Sequence, residues 1–259
     1  MRGAGAVATI VLCCWAVGLV AGAAWTQSWK VVKRGHFRIT AWSALILATL
    51  GAVAGVSSSH HGHAGHWAVA FAVASLAYVA VQYRATDGAA ALIGALASLI
   101  GLVALIALAD ALEEWSVVIS GLGLITGAAL LGAVTNGMLL GHWYLNQPGL
   151  QTWALSRLTV AGMGVTAASA VAGALGASKL IDAPTEGAAL GLPGFGNDFG
   201  PAFFFIWLAL VLFTGAILYM VKRCIDIRSI QSATGLYYVA ILTAGVAEFL
   251  VRYLMVDVA

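Results

Sequence analysis

Charge is what this sequence lacks most. Only 8% of its 259 residues are Asp, Glu, Lys or Arg, where a soluble domain carries roughly a quarter, so water is not its main solvent. Proline is scarce, four residues in all, and is read as confined to loops; broken helices of the kind that carry transporter substrate sites are therefore not expected. Cysteine is limited to Cys13 and Cys14 in one apolar run and Cys224 in a basic loop. Adjacent cysteines on a helix point in different directions, so neither a disulfide framework nor a CxxC metal site can be built, and all three read as packing residues. No Walker motif and no G-x-G-x-x-G between strand and helix is present. No serine or cysteine sits beside a base and an orienting group, which excludes a hydrolase. A net charge of +2, spread over short loops, gives no face for nucleic acid.

What the sequence has is apolar length. Hydrophobic residues make up 62% of the chain, mean hydropathy is +0.98, and long runs nearly free of charge recur from end to end. A bilayer crossing needs about 20 such residues at 1.5 Å rise each. Runs bounded by charge, Pro/Gly clusters or polar loops predict eight spans, at about 4–25, 39–56, 67–83, 89–109, 116–145, 156–177, 201–221 and 232–256. The expected fold is all-α: one polytopic integral membrane bundle over residues 1–259, its first partner the lipid bilayer.

Eight spans place Lys30, Lys33, Arg34, Arg38, Arg84, Arg157, Lys222, Arg223 and Arg228 on one side. Of the 12 basic residues this leaves Arg2, Lys179 and Arg252 for the other, with Asp110, Glu113, Glu114, Asp182, Glu186, Asp198 and Asp257. By the positive-inside rule the first side is cytoplasmic and both termini are not, the expected setting being a bacterial cytoplasmic membrane. Met1-Arg2, the apolar stretch after it and Ala21-Gly22-Ala23 also resemble a cleavable signal sequence. Cleavage would leave Lys30, Lys33 and Arg34 at an exported terminus, so an uncleaved first span is expected.

Glycine is abundant, with 31 residues. Gly123/Gly127 and Gly137/Gly141 form GxxxG pairs in the fifth run, and Gly162, Gly164, Gly173 and Gly176 line the sixth; small residues of this kind let helix backbones approach each other, or a flat cofactor. The one extended segment outside the runs, about 178–200, reads as a lid, a re-entrant element or a plain connection.

Polar residues at membrane depth carry the functional expectations. Glu248 and Arg252 stand one turn apart in the last run, where they can pair along one face or act as a proton-handling site. Thr234, Tyr237 and Gly245 lie within about 60° of that face. His36 and His142 fall at similar depth near the basic side, on stripes with Thr40 and Ser43 and with Thr135 and Asn146. Such stripes can hold a haem b iron or a quinone head group, or the histidines can be interfacial anchors beside Trp42, Trp143 and Tyr144. Asn136 is a candidate ligand contact or helix glue. His60, His61, His63 and His66 cluster in the loop SSSHHGHAGH, a candidate metal-binding or proton-responsive tract without a closed tetrahedral spacing. Asp110, Glu113 and Glu114 mark the opposite interface beside Trp115.

The final helix, with Tyr237-Tyr238, Gly245, Glu248 and Arg252-Tyr253 in an eight-span chain lacking a soluble domain, resembles the quinol-reactive membrane-anchor subunits of the DMSO-reductase and polysulfide-reductase class. The resemblance implies a respiratory or photosynthetic electron-transfer subunit that exchanges electrons or protons with a quinone and binds other subunits carrying the redox centres. Small-solute or ion transport, and a non-catalytic membrane scaffold, remain as alternatives.

Overall fold

A computed structural model describes residues 3–58, 63–147, 149–183 and 199–259. Among them the chain is entirely helical: α1 (Gly3–Ser28), α2 (Arg34–Ser58), α3 (His63–Arg84), α4 (Asp87–Asp110), α5 (Val117–Asn146), α6 (Trp153–Leu175), the short α7 (Ala177–Ile181), α8 (Phe199–Asp226) and α9 (Ile230–Val258). All except α7 are long and apolar enough to cross a membrane, so the chain is an integral membrane helical bundle. The helices overrun the predicted spans by a few residues at most ends, because polar residues continue the backbone hydrogen-bonding into the interface. The sixth is instead cut short at Gly176, and the turn that follows is α7.

Local chemistry sets several boundaries. Thr86 caps α4, its hydroxyl accepting from the Ala89 amide at 3.3 Å, and Asp87 in the first turn complements the helix dipole. Lys30 (φ 57°) reverses the chain after α1, and Arg228 (φ 61°) does so after α8. Pro201 is not in a loop as expected but in the first turn of α8, where a helix does not need the missing N–H. Of the 178–200 segment, α7 is described and Leu180 is buried; residues 184–198 lie outside the described set.

Two helices organise the bundle. α1 packs against α2, α4, α5 and α9, and α5 packs against α1, α4, α6 and α9. α1 and α5 run parallel and touch backbone to backbone: a Cβ on Gly18 would strike the Ala128 carbonyl, and one on Gly132 would strike the backbone of Gly18. Only glycine permits that approach. Large apolar side chains turn outward on every span, among them Ile39, Val73, Leu92, Val118, Val171, Phe205 and Leu242, the inversion expected where lipid replaces water.

Alternating connections gather at two ends. At one, Arg34 of α2 pairs with Asp87 of α4 at 2.8 Å, Trp29 meets Trp153 and Lys222 pairs with Asp226. Trp115 and Glu114 meet Met255 and Lys179 at the other. The basic and the acidic loops of the sequence thus occupy opposite ends of the molecule.

Gly132→Leu is expected to destabilise the bundle by more than the roughly 1–3 kcal/mol of an overpacked side-chain site, because rigid backbone blocks it. Gly164→Ala on α6, with no atom within 4 Å of the added methyl, should be neutral or stabilising by up to about 1 kcal/mol. Thermal unfolding in detergent distinguishes the two.

Candidate functional site

α9 runs antiparallel to α5 and turns its polar face onto the glycines of α5. Arg252 lies against Gly123, Glu248 against Gly127, Tyr237 against Gly137 and Thr234 against Gly141. Both GxxxG pairs foreseen as packing surfaces are therefore seats for polar side chains.

At Gly127 a Cβ would collide with both the Glu248 carboxylate and the Arg252 guanidinium. Glycine there lets the ion pair form against bare backbone. Arg252 Nη2 donates to Glu248 Oε2 at 2.5 Å and to the Gly123 carbonyl at 2.8 Å, while Nη1 contacts Met255 Sδ at 3.0 Å. Glu248 and Arg252 are 1% and 2% exposed, so neither charge is solvated from outside and each depends on the other. Gly127 is ten residues into the 30-residue α5, about 15 Å along an axis of about 45 Å, which puts Glu248 about a third of the way in from the acidic end. Trp115 closes the acidic end of this seam, its indole donating to the Met255 carbonyl at 3.0 Å. The second carboxylate oxygen, Glu248 Oε1, is buried without a hydrogen-bond partner among the described residues, as is Arg252 Nε.

Tyr237 does not join this pair. It is 11 residues away on α9, about 16 Å, and shares a hydrogen bond of 2.8 Å with Thr159 of α6. Leu130, Leu131, Val134, Ala240 and Ala244 fill the interval as buried carbon. The polar face of α9 thus holds two separate positions with mostly apolar side chains between them.

Asn136 faces α1: its amide donates to the carbonyls of Leu19 at 3.2 Å and Gly132 at 2.8 Å, leaving Oδ1 without a partner. It ties α5 to α1 beside Gly22. His36 is 2% exposed, its ring against Phe37 and Trp143, and its Nε2 has no partner among the described residues. His142 is exposed, and His36 packs at a tilt against the neighbouring indole, with ring centroids 6.0 Å apart. The distinctive stretch around His142 is a helix terminus held by its own side chains: Trp143 donates to Gln147 Oε1 at 2.7 Å and Tyr144 to the Gln151 carbonyl at 2.5 Å. His63 and His66 are exposed at the start of α3; His60 and His61 lie outside the described residues. No group of three or more potential metal ligands occurs among the described residues.

Sequence reasoning missed a second polar core. Gln27 of α1 and Gln82 of α3 exchange reciprocal amide hydrogen bonds at 2.9 and 3.0 Å, and Tyr78 donates to Gln27 Oε1 at 3.1 Å. All three are fully buried. Their signal was the presence of two amides inside otherwise apolar helices, but nothing local pairs residues so far apart in the chain. Trp15, Cys14 and Met255 were also passed over as apolar filler. Trp15 donates to Thr135 Oγ1 at 2.8 Å, and the Cys14 thiol approaches the Leu124 carbonyl at 3.5 Å.

Compared with known proteins, the chain matches no family model, no curated protein and no solved structure.

Removing one half of the buried pair, as in Arg252→Met, should cost about 3–5 kcal/mol because Glu248 is left as an uncompensated buried charge. The double change Glu248→Met with Arg252→Met should recover most of that loss. Unfolding in detergent or by denaturant titration in bicelles reads both.

Proposed function

We propose that this integral membrane bundle is a non-autonomous subunit of an electron-transfer assembly in which Glu248 handles protons for quinone-linked chemistry. The reading rests on one observation: a carboxylate buried inside a membrane-spanning helix keeps one oxygen, Oε1, free of any partner among the described residues, while Arg252 holds the other. An ionisable group so placed is costly and is ordinarily retained for use. The Gly245, Glu248 and Arg252 spacing in an eight-span body, and the small extent of chain outside the helices, support the same class. Redox centres and the quinone would be held with other subunits, the quinone supplying the two-electron, two-proton chemistry.

The residues around Glu248 fit a proton and not a ring. Gly127 has no room even for a methyl group beside the carboxylate. Arg252 keeps Glu248 oriented through Oε2; Oε1 is the atom left to accept. Trp115 and Met255 flank the acidic end of the seam. The apolar layer between Glu248 and Tyr237 directs exchange toward the acidic end of the bundle, which the positive-inside rule assigns to the non-cytoplasmic side.

A scaffold reading draws on a different observation, the glycine contacts that fix α5 to both α1 and α9. The two readings separate in one measurement on the assembly that co-purifies with the full chain. Glu248→Gln preserves the shape of the side chain and its acceptor oxygen for Arg252 but cannot take up a proton. Quinol-dependent electron transfer per assembled complex should fall at least about tenfold, a barrier increase of about 1.4 kcal/mol, while the melting temperature falls because Arg252 loses its counter-charge. Unchanged turnover with retained assembly would overturn the redox reading and favour the scaffold.

A further inference from the structure

A lipid-facing cleft lies on the side of α1 and α5 away from the ion pair. Its inner hollow, about 390 Å³, is floored by α1 and α5 and flanked by α4 and α6. Its width comes from small side chains: Gly18, Ala21 and Gly22 on α1, Ala129 and Ala133 on α5, and Ala161 on α6. A second hollow of about 620 Å³ continues it between α1 and α4, sharing Ala21, Trp25, Ser98 and Leu99, and reaches Ser28, Lys30 and Gly88 at the basic end. Both volumes fall within the roughly 300–1,000 Å³ of small-ligand sites. The groove therefore runs from the basic surface into the bundle, with carbon walls inside apart from the Ser98 hydroxyl, which is bonded to the Gly94 carbonyl.

The mouth is built around Trp25. The Arg157 guanidinium lies over Trp25 at 5.6 Å and over Trp29 at 5.4 Å. Trp29 in turn packs on Trp25 at 4.8 Å and on Trp153 at 5.4 Å. Lys30, just beyond, lines the same hollow as Trp25. Arg157 and Lys30 are exposed, and neither has an ion-pair partner among the described residues, whereas Arg34 and Lys222 at the same end are paired. The Arg157 cation on this aromatic platform and the Lys30 cation beyond it, at the head of an apolar groove open to lipid, match one ligand in charge and shape. We propose that the cleft is a binding site for an anionic phospholipid, with one acyl chain in the groove and the phosphate between Arg157 and Lys30. Basic pockets between spans bind anionic head groups in this manner; a neutral quinone brings no charge to the cations, and a zwitterionic lipid brings its own cation beside the phosphate.

Delipidated full-length protein, titrated with phosphatidylglycerol or phosphatidylcholine and read by native mass spectrometry and thermal shift, tests the site. Phosphatidylglycerol should bind at one molecule per chain and raise the melting temperature, and phosphatidylcholine should bind at least about fivefold more weakly. Arg157→Gln and Lys30→Gln, both on the surface, should each weaken phosphatidylglycerol about fivefold without changing the melting temperature of the lipid-free protein. Ala161→Phe, which grows into the hollow, should abolish retention of the lipid. Equal binding of the two lipids, charge variants that bind as the parent does, or preferential uptake of a short-chain quinone would overturn the proposal. Glu248 is not among the groove's residues, so a negative result here leaves the redox reading standing, and the reverse.

Discussion

The backbone of α5 approaches two neighbours through glycine, and the rest of the architecture depends on that approach. Between spans in lipid there is little hydrophobic drive to associate, so packing contact and interhelical hydrogen bonds must hold the bundle. On one side Gly132 meets Gly18 with backbone against backbone, and Asn136 adds a bond to the Leu19 carbonyl. On the other, Gly123 and Gly127 leave the space in which Arg252 and Glu248 pair and in which Arg252 reaches a main-chain acceptor. A single helix therefore serves as packing core and as one wall of the charged site. A methyl group at Gly127 would displace the ion pair, so in this seam the cost of burying charge and the closeness of the helices are one problem with one solution.

The polar groups of the interior are distributed as isolated, mostly self-satisfied sets. The Gln27, Gln82 and Tyr78 cluster joins α1 to α3. Thr159 with Tyr237 joins α6 to α9, and Thr214 with Thr243 joins α8 to α9 at 2.7 Å. Each set lies in a carbon surround, where an unmade hydrogen bond is expensive. Against that background Glu248 Oε1 and His36 Nε2 have no partner among the described residues, as is true of Asn136 Oδ1, Trp207 Nε1 and Arg252 Nε. Glu248 and His36 lie toward opposite ends of the bundle, so a single cofactor touching both is not what the packing offers.

The outer surface repeats this division of labour. Exposed Trp25, Trp42, Trp67 and Trp153 sit near helix ends, as interfacial anchors do. At the basic end, Arg38 stacks on Tyr83 at 4.7 Å while Trp42 donates to the same tyrosine at 3.0 Å. Arg34 and Lys222 are neutralised by nearby carboxylates. Lys30 and Arg157, like Lys33, Arg84, Arg223 and Arg228, form no ion pair among the described residues, and Lys30 and Arg157 differ from these in their place beside the groove.

Eight membrane helices were legible from the sequence because apolar length and charge spacing are local properties, and a span must satisfy its own backbone wherever it sits. The pairing of Glu248 with Arg252 was legible for the same reason: four residues on a helix are neighbours before any tertiary contact forms. The glycine pairs of α5 were visible as small faces, but not what they face. Only the tertiary structure decided that Gly127 seats the ion pair, that Gln27 finds Gln82, that His36 packs on Trp143 beside an exposed His142, and that α1, α4, α5 and α6 leave a groove. Each of these joins residues distant in the chain, and hydropathy fixes where a helix lies in the bilayer without fixing its rotation or its neighbours.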